Sequence, residues 1–192
     1  MKIVLYTYQN KEAVDILKKT GVLRLKKEDE YLTSLANHQE NAAYNFKRAF
    51  DFVIYSMRKR LAPPKNSDTY YPIWAWQKIE GSEVPSKLWD DNHHGKIRLK
   101  ISIDEERFLA SDFDMFCFLL AGGLYFDINK KEHDKYENKI FEPDEFYYPN
   151  YENMFILHRK RSNRYAFNYK HETIQATFWE LFIEDVIEMV EV

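Results

Sequence analysis

Residues 70–77, with the sequence YYPIWAWQ, constrain the fold more than any other stretch, and they hold two of the chain's four tryptophans. Aromatic and β-branched residues suit a pleated, half-buried surface, so we predict a β-strand here. Because side chains alternate across a strand, Tyr70, Trp74 and Trp76 share one face and form an aromatic wall. Pro72 cannot donate to a strand ladder, so we place it near the strand start or on an edge. The other face takes the alternate residues, Tyr71, Ile73 and Ala75.

The aromatic wall has two interpretations. Buried aromatic residues are most often packing, so the wall can be part of a hydrophobic core. Alternatively, the wall lines a pocket for a flat ring. In that case we expect at least one of Trp74 and Trp76 to be partly accessible beside the first strand.

Length and composition indicate one globular domain over residues 1–192, with an insertion or loop at about residues 124–151. The chain is 45% apolar and 17% aromatic, which excludes a disordered composition and is enough to bury a core. Its net charge of −3 argues against a generally basic nucleic-acid binder. The one dense positive run, residues 158–161, is either a solvated face or a contact for phosphates.

A single cysteine, Cys117, excludes an intrachain disulfide and a cysteine-rich zinc site, and it fits a reducing cytoplasm. Its neighbours Phe116 and Phe118 are apolar, so we expect a raised thiol pKa and a core position. His93 and His94 lie in a polar segment without further ligands at metal spacing, and we predict that they are solvated. We expect no metal ion, no signal peptide and no membrane span.

Three helices are predicted from apolar spacing, cap residues and chain-breaking residues. The first covers residues 11–20, with Asn10 as its N-cap and Gly21 just after its end. The second, from about residue 42 to residue 57, has a clear apolar face. The third begins with Ser111 as its N-cap.

Strand-like runs at residues 3–8, 97–103 and 173–183 accompany the strand at residues 70–77. Together with the three helices, they predict an α+β fold with a curved, mostly antiparallel sheet on which the helices pack. In the last run, ideal alternation puts Gln175 on one face and Glu180 on the other.

Several stretches taken together resemble a bacterial family known as domain of unknown function 3841. They are residues 5–9 with the following helix and Gly21, residues 71–76, residues 111–114 and residues 174–181. The resemblance spans nearly the whole chain. The family name implies no activity.

A second resemblance concerns the opening strand, helix and glycine, which look like the start of ADP-ribosyltransferase folds. Enzymes of that fold split NAD at the nicotinamide bond and pass ADP-ribose to an acceptor. The resemblance implies a first-strand side chain that holds the NAD ribose, an aromatic residue beside nicotinamide, and a late-strand glutamate that stabilises the reacting ribose. By position, these roles fall to Thr7, Tyr8 or Gln9, to Trp74 or Trp76, and to Glu180.

The chemistry of this reaction explains the choice of candidate residues. Cleavage of the nicotinamide bond builds positive charge on the ribose carbon, which a fixed carboxylate in a dry aromatic pocket stabilises. Glu180 has aromatic neighbours that suit this role, or else it is a strand glutamate that pairs with an arginine or lysine. A β-bulge between Gln175 and Glu180 would bring both candidate catalytic residues onto one face. Asp114 either satisfies N–H groups at the helix start or points into the pocket as a ligand-binding residue.

The leading prediction is an ADP-ribosyltransferase-like enzyme that uses NAD and modifies a macromolecular acceptor, either protein, RNA or DNA. The resemblance implies a toxin or a phage-defence effector, with an antitoxin or another protein as partner. The alternative is a non-enzymatic module that binds a protein or nucleic acid through the aromatic wall. A small-molecule sensor with the same pocket is a third interpretation. The enzyme hypothesis in this form fails if Glu180 pairs with a basic residue far from any cleft.

Overall fold

The structure is a computed structural model, and it describes residues 1–26, 40–64, 70–120, 152–155, 157 and 173–192. Its strands are β1 (Lys2–Gln9), β2 (Val22–Leu23), β3 (Leu25–Lys26), β4 (Tyr70–Tyr71), β5 (Ile73–Lys78), β6 (Ile97–Asp104), β7 (Phe108–Asp112), β8 (Ile174–Phe178), β9 (Leu181–Phe182) and β10 (Val186–Glu191). Its α-helices are α1 (Lys11–Thr20), α2 (Glu40–Arg60), α3 (Lys87–Asp91) and α4 (Phe113–Leu120).

Six strands form one sheet in the order β10-β6-β1-β5-β8-β7, and all neighbouring pairs are antiparallel. The short pairs β2–β9 and β3–β4 are also antiparallel. The prediction of an α+β fold with a mostly antiparallel sheet is therefore confirmed. Helix α3 is an addition, since it lies in a segment for which the sequence predicted only a polar loop.

The sheet has a different layer on each face. On one face, α1 packs against a cluster of aliphatic and aromatic side chains that includes Leu5, Ile101 and Phe178; we call this the aliphatic face. On the other face, α2 and α4 pack around Leu109 and Trp179, with Trp74 at the border of that cluster. The sheet is thus covered by helices on both sides.

Helix α1 has the predicted bounds and ends as predicted. Gly21 takes the left-handed conformation with φ +78°, and its N–H donates to the Leu17 carbonyl at 2.9 Å. Val14 and Leu17 are buried and pack against the aliphatic face. Asn10 stands at the N-cap position but its side chain makes no capping hydrogen bond.

The strand predicted over residues 70–77 is divided at Pro72 into β4 and β5. Proline has no N–H for the ladder, which explains the break. Trp74 and Trp76 share a face, as predicted. Tyr71 does not lie on the opposite face with Ile73, because the break at Pro72 shifts the alternation and Tyr71 packs with the α2–α4 cluster.

The strand predicted over residues 173–183 is wrong as a single element, because β8 ends at Phe178 and the chain resumes as β9. Trp179 turns into the α2–α4 cluster, while Leu181 joins the aliphatic face. The β-bulge considered between residues 175 and 180 is not located there. The register shift lies on the neighbouring strand β5, between Trp76 and Lys78.

The predicted N-cap of the third helix is wrong by one residue. Asp112, not Ser111, caps α4: its Oδ1 accepts the N–H groups of Asp114 and Met115 at 3.1 and 3.2 Å. Ser111 still belongs to β7 and pairs with Gln175 across the ladder. Its side chain therefore lies on a face of the sheet rather than at the helix end.

Several predictions lie outside the described residues. They concern the insertion at residues 124–151, the basic run at residues 158–161 and the side chain of Tyr70. Among the described residues, no helix combines the length and apolarity that a membrane span requires.

Candidate functional site

One row of side chains crosses the centre of the sheet on the face opposite α1. Tyr6 of β1 is the register partner of Trp76 on β5, and Trp76 is the partner of Gln175 on β8. Gln175 is in turn the partner of Ser111 on β7. Because cross-strand partners share a face, residues from both ends of the chain meet in this row.

Five rings in contact run along the same face, and we call them the aromatic strip: Tyr8, His93, Trp89, Trp76 and Phe113. His93 stacks on Tyr8 with ring centres 4.0 Å apart, and it lies 6.0 Å from Trp89. Trp76 meets Trp89 and Phe113 edge-on at 5.1 and 4.9 Å. All five side chains are partly exposed. Trp76 is therefore accessible, which is the condition that a ring-binding role requires.

The segment over residues 86–95, which we call the strap, carries two of these rings and is tied to the sheet by Asp90. The Tyr8 hydroxyl donates to Asp90 Oδ1 at 2.7 Å, and Arg98 forms an ion pair with Oδ2. Burial, together with the hydrogen bond to Asp90, raises the pKa of Tyr8 well above its ordinary value. Tyr8 therefore stays a neutral hydrogen-bond donor over the whole physiological range.

Of the two histidines predicted to be solvated, His94 is exposed, whereas His93 is only partly exposed. Its ring is half-buried on Tyr8, and its Nδ1 lies 2.8 Å from the Trp89 carbonyl oxygen. A carbonyl only accepts, so Nδ1 carries the proton and Nε2 of the neutral ring is left as an acceptor. Ser86 as helix N-cap, followed by Trp89 and His93 four residues apart, is the sequence signal that could have revealed this arrangement.

A polar pair closes the row at its other end. Gln175 Nε2 donates to Ser111 Oγ at 3.1 Å, and the two residues are only 1% and 2% exposed. The Ser111 hydroxyl accepts this bond and keeps its own O–H for donation. Gln175 thus lies beside Trp76, as a late-strand candidate residue should, but it is an amide and carries no charge.

Thr7 and Gln9 lie on the α1 side of the sheet, away from the strip. Both are buried: Gln9 Nε2 donates to Thr7 Oγ1 at 2.7 Å, and Thr7 Oγ1 donates to the Trp74 carbonyl at 2.6 Å. Of the three first-strand candidates, only Tyr8 therefore faces Trp76. Alternation along β1 explains this division.

Trp74 shares the face of Trp76 but has different neighbours. Its ring contacts Phe50 at 5.4 Å and Phe116 at 4.8 Å, at the border of the α2–α4 cluster. The two tryptophans of the aromatic wall therefore have different surroundings. Trp74 is mainly packing, and Trp76 belongs to the strip.

Glu180 lies two residues beyond the end of β8 and is engaged by Arg24. The Arg24 Nε–H donates to Glu180 Oε1 at 2.6 Å, and the glutamate side chain is 21% exposed. Arg24 stands between β2 and β3, beside the aliphatic face rather than the strip. The pairing is the one that the alternative interpretation of Glu180 anticipated.

Asp114 occupies the first turn of α4, directly after Phe113. Burial raises the pKa of its carboxyl above the ordinary value. The pKa of the Cys117 thiol is also raised, by burial and by the charge of Asp114, as expected, but the residue is partly exposed rather than in the core. Among the residues that the structure describes, no three His, Cys, Asp or Glu side chains gather as a metal ligand set.

Comparison with known proteins identifies the family. No curated protein and no solved structure matches the chain. The family described as domain of unknown function (DUF3841) matches residues 4–187, which confirms the resemblance seen in the sequence. The match extends over nearly all of the strands and helices described above, including every residue of the aromatic strip. The chain therefore belongs to the DUF3841 family.

Proposed function

We propose that the protein is a binding module that holds the planar ring of a nucleotide-type ligand on the aromatic strip. The observation that carries this proposal is the strip itself, a series of contacting, partly exposed rings that leads from Tyr8 to Phe113. Isolated exposed aromatics are common, but contiguous ones favour a ligand surface.

The chemistry of the strip suits a heteroaromatic ring. Stacking of a base on aromatic side chains contributes about 1–3 kcal/mol per base and tolerates different bases. Asp114, partly exposed and directly after Phe113, provides a polar group that can orient such a ring. The strip therefore offers both an apolar surface and directional contacts.

An ADP-ribosyltransferase-like enzyme that uses NAD is the second candidate. The row of Tyr6, Trp76, Gln175 and Ser111 favours it, because first-strand, mid-chain and late-strand residues converge on one face. This hypothesis requires a carboxylate that stabilises the ribose cation, but the Glu180 carboxylate already forms an ion pair with Arg24. In this hypothesis the acceptor is a macromolecule, and Asp114, directly after Phe113, is a second candidate carboxyl group.

The binding proposal is tested by calorimetric titration with purine riboside, NAD and a short single-stranded oligonucleotide. We expect heat of binding with at least one of them. Stronger binding of the oligonucleotide indicates unpaired bases as the natural ligand, and stronger binding of NAD indicates a free nucleotide. Absence of binding by all three contradicts the proposal.

A pair of tryptophan variants locates the binding surface. Trp76→Leu removes a ring of the strip but keeps an apolar side chain, and we expect binding to weaken at least tenfold. Trp74→Phe, two residues away on the same face, changes a ring of the helix-side cluster and serves as the matched control. Equal binding by both variants would place the ligand elsewhere.

The enzyme candidate is tested with labelled NAD and cell lysate. The enzyme hypothesis is favoured if label is transferred to protein, RNA or DNA and if Glu180→Gln abolishes this transfer without a change in melting temperature. Arg24→Gln is the control, because it removes the ion pair with Glu180 and leaves the glutamate itself unchanged. Label transfer that survives Glu180→Gln excludes this residue as the catalytic carboxylate.

A further inference from the structure

Two buried N–H groups next to the aromatic strip have no hydrogen-bond partner among the described residues. They are Trp89 Nε1 and Arg98 Nε, both sealed from solvent in the described part of the chain. Buried donors are almost always paired in folded proteins, so an unpaired one calls for an explanation such as an absent ligand. Because both N–H groups lie beside the same group of rings, one ligand at this place explains both of them.

The side chains that carry these two N–H groups lie beside neighbouring rings of the central row. The Trp89 ring lies 5.1 Å from Trp76, and the Arg98 guanidinium lies 5.9 Å from the Tyr6 ring. Tyr6 and Trp76 are register partners in the central row. The side chains that carry both N–H groups therefore flank one pair of neighbouring rings.

The charges around these donors are already balanced. Arg98 forms an ion pair with Asp90, and Lys100 stands opposite Glu188 on the neighbouring strand. An additional charge would be desolvated here without a counterion, which is costly. The group that completes the site is therefore an uncharged hydrogen-bond acceptor.

We infer that the ligand of the aromatic strip is a heteroaromatic ring that carries a carbonyl oxygen, and that Trp89 Nε1–H and Arg98 Nε–H bind this oxygen. The inference rests on the proposed function and adds the chemical class of the ligand. Both donors are sealed from solvent, so the oxygen reaches them only when the strap, which carries Trp89, shifts. Binding therefore changes the hydrogen exchange of the amides in residues 86–95.

The test compares two nucleosides with the same sugar and nearly the same ring. Inosine carries a carbonyl at position 6 of the purine, and purine riboside has none. We expect the native protein to bind inosine about tenfold more tightly, the gain of one to two hydrogen bonds. In Trp89→Phe, which keeps an aromatic ring but removes the N–H, we expect the preference to disappear.

Two further variants make the result specific. Arg98→Lys keeps a positive charge for Asp90 but removes Nε, and we expect it to reduce the preference for inosine. Trp179→Phe is the matched control, because its indole N–H is also buried and unpaired but lies in the α2–α4 cluster. This variant should retain the full preference.

The outcomes separate the inference from the proposed function. Equal binding of inosine and purine riboside by the native protein overturns the inference and leaves ring binding intact. A preference that survives Trp89→Phe, or unchanged hydrogen exchange of the strap on binding, also overturns it. If neither nucleoside binds, ring binding itself fails and the inference fails with it.

Discussion

The two faces of the six-stranded sheet are built by the same strands but differ in chemistry. The aliphatic face consists of fully buried apolar side chains such as Leu5, Ile101 and Phe178, covered by α1. The opposite face carries the aromatic strip, the Gln175–Ser111 pair and the ion pair of Asp90 with Arg98. A buried apolar layer stabilises the fold, whereas partly exposed rings and unpaired donors contribute little to stability. The aliphatic face is thus wholly covered and apolar, whereas the opposite face combines the buried α2–α4 cluster with a partly exposed aromatic strip.

The largest expected effect comes from the aliphatic face. Phe178→Ala empties a fully buried site and should lower the free energy of unfolding by about 4 kcal/mol. Urea denaturation measures this, with Phe178→Leu as the milder control. If Phe178→Ala costs less than Trp76→Leu on the other face, the division of roles between the faces is wrong.

An ion pair between the buried Asp185 and the partly exposed Arg107 should rank second. Arg107 donates two hydrogen bonds to Asp185, at 2.8 and 2.9 Å, and a third to the Glu180 carbonyl at 3.3 Å. Arg107→Met leaves the Asp185 carboxylate buried and uncompensated, with an expected loss of about 3 kcal/mol. The double variant with Asp185→Leu should recover part of that loss. Absence of recovery would assign the loss to packing by the arginine.

The helix cap beneath the strip should give a smaller effect. Asp112→Ala removes the acceptor for two N–H groups of α4 and should cost about 1 kcal/mol in denaturation experiments. Asp112→Asn can still cap and should restore most of that stability. If Asp112→Asn is as unstable as the alanine variant, the charge rather than the cap stabilises the helix.

The smallest effect concerns the pH dependence of Asp114. Its pKa in the folded protein is raised by burial, so the folded state binds more protons than the unfolded state between the two pKa values. This contribution to stability is present at low pH and is lost as the pH rises above about 4. Asp114→Asn should therefore be the more stable protein at neutral pH and lose this part of the pH dependence. If the free energy of unfolding, measured by urea denaturation, varies with pH in the same way in both proteins, Asp114 makes no such contribution and the prediction is wrong.

Much of the fold could be predicted because it depends on local patterns. Helix α1 with Gly21, the alternation along β6 and the shared face of Trp74 and Trp76 follow from spacing alone. The cap of α4 was misplaced by one residue because Ser111 and Asp112 are both good N-caps. Local propensity cannot distinguish them; in the structure α4 begins at Phe113, which puts the Asp112 side chain within reach of the first free N–H groups.

The candidate site was only partly predictable. The resemblance offered Thr7, Tyr8 or Gln9 without choosing among them, and the structure puts Tyr8 on the face of Trp76 and Gln175, with Thr7 and Gln9 on the other. The strap residues were missed because a five-residue helix has almost no periodicity to detect. Glu180 was read as a strand residue since its aromatic neighbours suggested one continuous strand.

The sequence by itself determined most of the longer helices and strands and the shared face of Trp74 and Trp76, because these depend on neighbours a few positions apart. Only the tertiary structure decided which strands are adjacent, and therefore that Tyr6, Trp76, Gln175 and Ser111 form one row. It also decided that Arg24 neutralises Glu180 and that Asp90 ties the strap to Tyr8 and Arg98. These contacts join residues far apart in the chain, and the order of strands in a sheet leaves no periodic trace in the sequence.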